Sequence, residues 1–230
     1  MSSISPDIVT DGLVLCLDAA DKKSYAGSGD TWYDRSGNDL DGTLENDPTF
    51  STAAGGCIVL DGIDDRIQVP DSDGKFDVGT GDFTIGVWVY LPTDATHTYV
   101  HLFCFDSQSN FALKATKYNA SPPLALYFYG GSYRSYVDEF GTWDLEQDVW
   151  QYVALTRNGS THKAYYNGDY VGAITETAKS LSVTNAYIGW GWGSEYTEQW
   201  RSNVQFYNKA LTDAEVLQNF NAMKSRFGIT

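Results

Sequence analysis

The chain has 230 residues, with 30 acidic against 15 basic side chains, and a formal net charge of −15. That charge opposes binding to nucleic acid and insertion into anionic membranes, and no apolar run approaches the ~20 residues of a membrane span. The length suits one domain with a sizeable core, and 15% aromatic residues punctuated by 22 glycines favour β structure.

Residues 1–12 read as a short polar N-terminal arm, and 13–230 as a single domain. The opening M-S-S-I-S-P-D has no basic region and no apolar core, so it does not read as a signal peptide, and synthesis in a cytoplasm is expected. Leu13, Leu15 and Leu17 place one face of a first strand, and Asp18 to Asp21 end it. Residues 22–46 form a long polar loop, which Trp32 and Tyr33 are expected to pin to the body.

Residues 57–69 read C-I-V-L-D-G-I-D-D-R-I-Q-V, two strand halves around an acidic turn. Residues 83–91 are the clearest strand. Phe83, Ile85, Val87, Val89 and Leu91 suit the space between two sheets, and Trp88 and Tyr90 imply that the opposite face is covered or grooved. Further strands are expected at 99–105, 124–129, 150–157, 163–166, 170–174, 187–190 and 204–207. Asn167-Gly168 is the strongest hairpin signal. Thr212 and Glu215 form a capping box, after which Val216, Phe220, Met223 and Phe227 recur at helical spacing and Gly228 closes a helix of about four turns. Antiparallel strands with one terminal helix mean an all-β sandwich or barrel.

Cys16, Cys57 and Cys104 are odd in number and show no C-x-x-C spacing. Each is expected as a small buried thiol, with a Cys16–Cys57 disulfide as the alternative.

The pieces L-V-L-C-L-D-A-A (13–20), W-Y-D-R-S-G-N (32–38), I-V-L-D-G-I-D-D-R-I (58–67), F-T-I-G-V-W-V (83–89), W-Q-Y-V-A-L-T-R (150–157), Y-Y-N-G-D-Y-V (165–171) and V-Q-F-Y-N-K-A-L-T-D-A-E-V (204–216) occur in one order along the chain. Together they resemble the LamG-like jelly-roll family of the concanavalin A-like lectin/glucanase superfamily, of the type found in tailed-phage structural proteins. The resemblance implies a two-sheet antiparallel jelly-roll sandwich with a rim of loops, used mostly for recognition and adhesion. It also implies that Ca2+ is the one cofactor to consider.

Five groupings of residues are weighed as sites. Asp61, Asp64 and Asp65 carry the oxygen ligands a Ca2+ site needs, although Asp61 and Asp64 are read first as turn formers that bond nearby backbone N–H groups. Trp190, Trp192, Tyr196 and Trp200, separated by glycines, carbonyls and carboxylates, are candidate sugar-stacking rings, and Tyr127, Tyr129, Tyr133 and Tyr136 form a second aromatic set. Either set is also readable as core or subunit contact. Glu195 and Glu198, three apart, fall on opposite faces of a strand, so no paired-carboxylate catalytic motif is expected there. His97 and His101 lack the ligand pattern of a zinc site.

The expectation is therefore a non-enzymatic virion structural or adhesion protein, an outer decoration or tail- or fibre-associated subunit on the virion surface. Its partners would be other virion proteins or its own copies in a homo-oligomer, attached through the arm or the aromatic loops. A lectin-like module for host surface glycans is the alternative, and a glycoside hydrolase ranks third.

Overall fold

A computed structural model describes residues 7–93, 95, 99–106, 111–116, 124–130, 133–137, 145–175, 177–178, 180–191 and 195–230. The strands are β1 (Leu13–Asp18), β2 (Thr31–Trp32), β3 (Gly42–Glu45), β4 (Thr49–Ser51), β5 (Cys57–Asp61), β6 (Arg66–Pro70), β7 (Phe83–Tyr90), β8 (Tyr99–Phe105), β9 (Phe111–Thr116), β10 (Leu124–Gly130), β11 (Tyr133–Val137), β12 (Trp150–Asn158), β13 (Thr161–Tyr166), β14 (Asp169–Thr175), β15 (Asn185–Ile188) and β16 (Glu198–Tyr207). One helix, α1 (Asp213–Met223), follows them.

The strands form two antiparallel sheets. Sheet A runs β14-β13-β12-β7-β16-β5-β4, with β1 also on β16, and sheet B runs β11-β10-β9-β8-β15-β6-β3-β2. The main core lies between them, because alternate residues of each strand point inward. Phe83, Ile85, Val87 and Val89 of β7 meet Ile67, Val69, Ala186, Ile188, Phe103 and Phe105 of sheet B there. Phe206 contacts Phe76, Phe83, Phe103 and Phe105 at centroid distances of 5.2 to 6.2 Å.

The 57–69 stretch is a sandwich corner and not a hairpin. β5 pairs with β16 and β4 in sheet A, while β6 pairs with β15 and β3 in sheet B. Residues 62–65 therefore carry the chain from one sheet to the other. Gly62 is required at the bend: its φ is +75°, and an added Cβ would sit 2.6 Å from the Glu198 nitrogen.

The long 22–46 loop is held by Asp34, whose carboxylate accepts from the N–H groups of Cys16 and Ser36, both at 2.9 Å, and from the Ser36 hydroxyl at 2.6 Å. Trp32 is fully buried as expected, but Tyr33 is 50% exposed and pins nothing with its ring. At the Asn167-Gly168 turn φ is positive at both positions, 51° and 85°, as the hairpin signal requires.

The outer face of sheet A is closed by α1. Thr212 caps the helix with the expected capping box. Val216, Phe220 and Met223 pack on Trp88, Tyr152, Ala154, Tyr165 and Tyr207. The α-helix ends at Met223, and a 3-10 turn (Lys224–Phe227) brings Phe227 over Trp88 before Gly228 at φ 74°. Residues 7–12 are not a detached arm. Val9 is buried in the same cluster, its N–H donates to Asn219 Oδ1 at 2.8 Å, and its carbonyl accepts from the Tyr207 hydroxyl at 3.0 Å. Residues 1–6 lie outside the described set.

Cys16, Cys57 and Cys104 are all free and buried, so the Cys16–Cys57 alternative is not realised. Among the described residues no helix is long and apolar enough to cross a membrane.

Because the ring of Phe220 is buried in the second core against Trp88 and Tyr152, Phe220→Ala should destabilise the protein by about 3–5 kcal/mol, read as a lower urea midpoint. A loss below about 1 kcal/mol would mean that α1 is not fixed to sheet A.

Candidate ligand-binding face

With α1 on sheet A, the outer face of sheet B is the broad β surface that no described helix covers. Strand alternation sends Ile67 and Val69, Ala186 and Ile188 into the core and leaves Arg66 and Gln68, Tyr187 and Asn185 on that face.

Three polar groupings are fixed there. Arg66 pairs with Glu45 through its Nε. Gln68 Nε2 donates to Asn185 Oδ1 at 2.7 Å. Glu195 Oε2 accepts from Lys114 Nζ at 2.8 Å and lies 2.9 Å from His101 Nε2. His101 and Lys114 are buried, whereas the Glu195 side chain is half exposed. Gly191 packs so closely on the His101 ring that a Cβ there has no room. The hydrogen bond from His101, joined by that from Lys114, holds the Glu195 carboxyl down at about 2, well below its ordinary 4.5.

The aromatic residues are divided by the fold. Trp190 belongs to this face, with Tyr187 at 4.8 Å and Tyr196 at 6.4 Å between ring centroids. It is buried, with the Arg66 guanidinium 4.7 Å above its ring and Cys104 Sγ donating to its carbonyl at 3.0 Å. Trp190 is thus an anchor beneath the face, and half-buried Tyr196 is the accessible ring beside it. Trp200 is on the other side of the molecule. Its neighbours Gln199 and Arg201 point inward, so Trp200 points outward from sheet A and stacks on Tyr90 at 4.5 Å, with Trp150 5.6 Å beyond Tyr90. Trp192 lies outside the described residues, as do His97 and the side chains of Tyr127, Tyr129, Tyr133 and Tyr136. The backbone register still places β10 and β11 in sheet B, with Tyr127 opposite both Ala112 and Tyr136.

Arg66, Glu45, Gln68 and Asn185 had escaped sequence reasoning. Their signal was available in R-I-Q-V, where polar residues alternate with core residues, but the partner strands β3 and β15 could not be placed without the fold.

At the rim, Asp61 Oδ1 accepts from the N–H groups of Ile63, Asp64 and Asp65 at 2.8, 3.3 and 3.4 Å. Asp65 Oδ2 accepts from the Asp61 N–H at 2.9 Å. Asp61 is therefore a turn former. Asp64 is exposed and contributes its backbone carbonyl, which accepts from Asn46 Nδ2 at 2.7 Å. One ligand oxygen from each of Asp61, Asp64 and Asp65 lies within 4.8 Å of the others. Burial, with the negative charges of Asp61, Asp64 and Asp47 adding to it, pushes the Asp65 carboxyl up to about 6.

A family model described as the concanavalin A-like lectin/glucanases superfamily, Laminin_G_3, matches residues 61–217, about two-thirds of the chain. The chain belongs to this superfamily. No curated protein matches the sequence. Among solved structures it is similar to the binding domain of botulinum neurotoxin DC in complex with rat synaptotagmin II, at 15% identity and a TM-score of 0.71, covering 94% of this chain and 52% of that one. The binding domain of the same toxin in complex with SialylT gives 16% identity and a TM-score of 0.69, covering 93% and 52%. Domain 4 of AbnA, a GH43 extracellular arabinanase from Geobacillus stearothermophilus, in complex with arabinotriose, gives 18% identity and a TM-score of 0.69, covering 90% and 97%. The chain spans about half the length of the toxin domains and nearly all of the arabinanase domain. At these identities the likeness shows the fold, a lectin-like jelly roll.

The Glu195 carboxylate gives this face a defined pH response. Its folded pKa lies below the ordinary value, so the stability it adds is present above about pH 4.5 and is lost as pH falls toward 2. Glu195→Gln should lower Tm at neutral pH, and the gap from the parent protein should narrow as pH drops below about 4.5. A gap that stays constant with pH would show that Glu195 is not held ionised by His101 and Lys114.

Proposed function

We propose that the chain is a non-catalytic, lectin-like domain that binds glycans on the outer face of sheet B. The observation that carries this reading is the union, on the sheet face that α1 leaves uncovered, of fixed polar groups with aromatic rings. The groups are the Arg66–Glu45 pair, the Gln68–Asn185 amide pair and the Glu195–Lys114–His101 cluster, beside Tyr187, Trp190 and Tyr196. Sugars present hydroxyls around apolar ring faces. Donors and acceptors already held in place lower the ordering cost of binding them, and ring edges supply the apolar contact. The cations of the face are already paired, and the whole chain carries −15, so neutral glycans are favoured over sialylated or uronate ones. Three of the similar structures support the reading in kind: two are binding domains of a toxin, and one is an arabinanase domain in complex with arabinotriose.

For the setting, we infer a virion surface, with the chain acting as an adhesion subunit through its own copies or other virion proteins. The support is the sequence motifs that resemble those of tailed-phage structural proteins, and three buried free thiols, as suits folding in a reducing cytoplasm. Immunogold labelling of intact particles tests this, and purified virions free of the protein would end it.

On a glycan array, the protein should retain a subset of neutral glycans. Arg66→Ala and Tyr196→Ala should each weaken that binding by ~tenfold, or about 1.4 kcal/mol, while Trp200→Ala on sheet A leaves it unchanged. A silent array, or a loss confined to Trp200→Ala, would refute the placement on sheet B.

A further inference from the structure

We propose that Arg201 holds a small monovalent anion of the chloride class between the two sheets, and that the ion balances a charge to which the protein itself brings no partner. Arg201 is fully buried. Its Nη2 donates to the His101 carbonyl at 3.1 Å and to the side-chain oxygen of Gln199, both neutral acceptors. Its Nε and Nη1 have no acceptor. Arg35, Arg66 and Arg226 each pair with a carboxylate, whereas among the described residues none pairs with Arg201. Burial lowers its pKa, and no neighbouring charge opposes that shift. Arg157 is equally buried but differs: its Nε and Nη2 reach the carbonyls of Gly81 and Gly79, and Asp82 favours its charge.

The backbone is shaped to bring this guanidinium inside. On β16 Arg201 lies opposite Val89 and Asn203 opposite Trp88, so Ser202 is an extra residue, a β-bulge. Beyond the bulge Val204 and Phe206 fill the core. Without it the same alternation would turn Arg201 outward. β8 has its own register shift between His101 and Phe103, where the Arg201 side chain reaches it. Bulges re-aim side chains and are over-represented beside functional sites. Here two of them, one in each sheet, meet at a single buried cation.

The chemistry selects the ion. A guanidinium keeps its charge at neutral pH, and a buried charge without a partner is costly. One negative charge cancels it. Sulfate or phosphate would leave surplus negative charge inside a chain that already carries −15. A halide is spherical and accepts N–H groups from any direction. A side chain with no exposed surface also excludes an anion as large as gluconate.

The experiment is thermal unfolding of the full chain at about pH 7.5, with sodium gluconate replaced stepwise by sodium chloride at constant ionic strength. Screening of surface charge is then the same throughout. Chloride should raise Tm by several degrees along a saturating curve. Arg201→Met removes the buried charge but keeps apolar bulk, so its Tm in gluconate should equal or exceed that of the parent, and chloride should no longer move it. Arg35→Met, a change of the same charge on the surface, should keep the full chloride shift. In crystals grown with bromide, an anomalous-scattering peak should lie against the Arg201 guanidinium, a readout that needs no variant. No chloride shift in the parent, an equal shift in Arg201→Met, or bromide peaks confined to the surface would each overturn the proposal. None of these readouts involves a glycan, so the outcome is separate from that of the sheet B reading.

Discussion

Trp88 is the contact on which the arrangement of the molecule depends. It points away from the core on β7, the central strand of sheet A. Phe227 stacks on it at 3.9 Å and Phe220 at 5.6 Å, both within 15° of parallel. An indole this large cannot remain on a solvated sheet face without cost, so α1 and the turn after it are drawn onto sheet A. Asn219 then ties the helix to the sheet and to the chain start. It donates to the Tyr207 hydroxyl at 2.9 Å and to Gln205 Oε1 at 3.1 Å, and it accepts from Val9. Covering one sheet face in this way leaves the outer face of sheet B without a described helix over it.

β16 links the covered side to the open one. Its first half is buried yet polar, with Gln199, Arg201, Ser202 and Asn203 almost wholly inaccessible. Gln199 Nε2 and Arg201 Nη2 both donate to the His101 carbonyl, at 3.3 and 3.1 Å. The His101 ring in turn meets Glu195 on the outer face. A polar chain therefore runs from the interior of the sandwich to the outer face of sheet B and fixes the strand that carries His101. Burial without a counter-charge lowers the Arg201 pKa to about 9. Stability is given up at this point, because a packed apolar residue would cost less to bury.

These two features also explain what could be read from the sequence. β7 was plain because inward aliphatics alternate with outward aromatics. The Thr212–Glu215 box and the Asn167-Gly168 turn were plain because their signals are local. The first six residues of β16 were not, since E-Q-W-R-S-N has no apolar period, and only the tertiary pairing with β5 and β7 makes it a strand. For the same reason Trp190 and Trp200 look like neighbours in sequence, while the fold places them on opposite faces. The acidic corner reads as a place where strands stop, but the change of sheet there depends on the partners of β5 and β6, and on one side of each strand these lie more than 100 residues downstream, on β16 and β15.

The electrostatics of the two carboxylate groups bear on the proposal that the domain is non-catalytic. A glycoside hydrolase needs an acid that keeps its proton near the working pH, opposite a second carboxylate. Glu195, on the open face, is held at about 2 by His101 and Lys114 and has no proton to give. Asp65 has the raised pKa that an acid would need, yet it is buried and turned to the Asp61 N–H, where no substrate oxygen can reach it. Neither Glu195 nor Asp65 therefore combines an exposed position with a carboxyl that keeps its proton near neutral pH. Sheet B carries instead paired charges and amides already held in place, and under the proposed reading that lowers the ordering cost of binding a ligand.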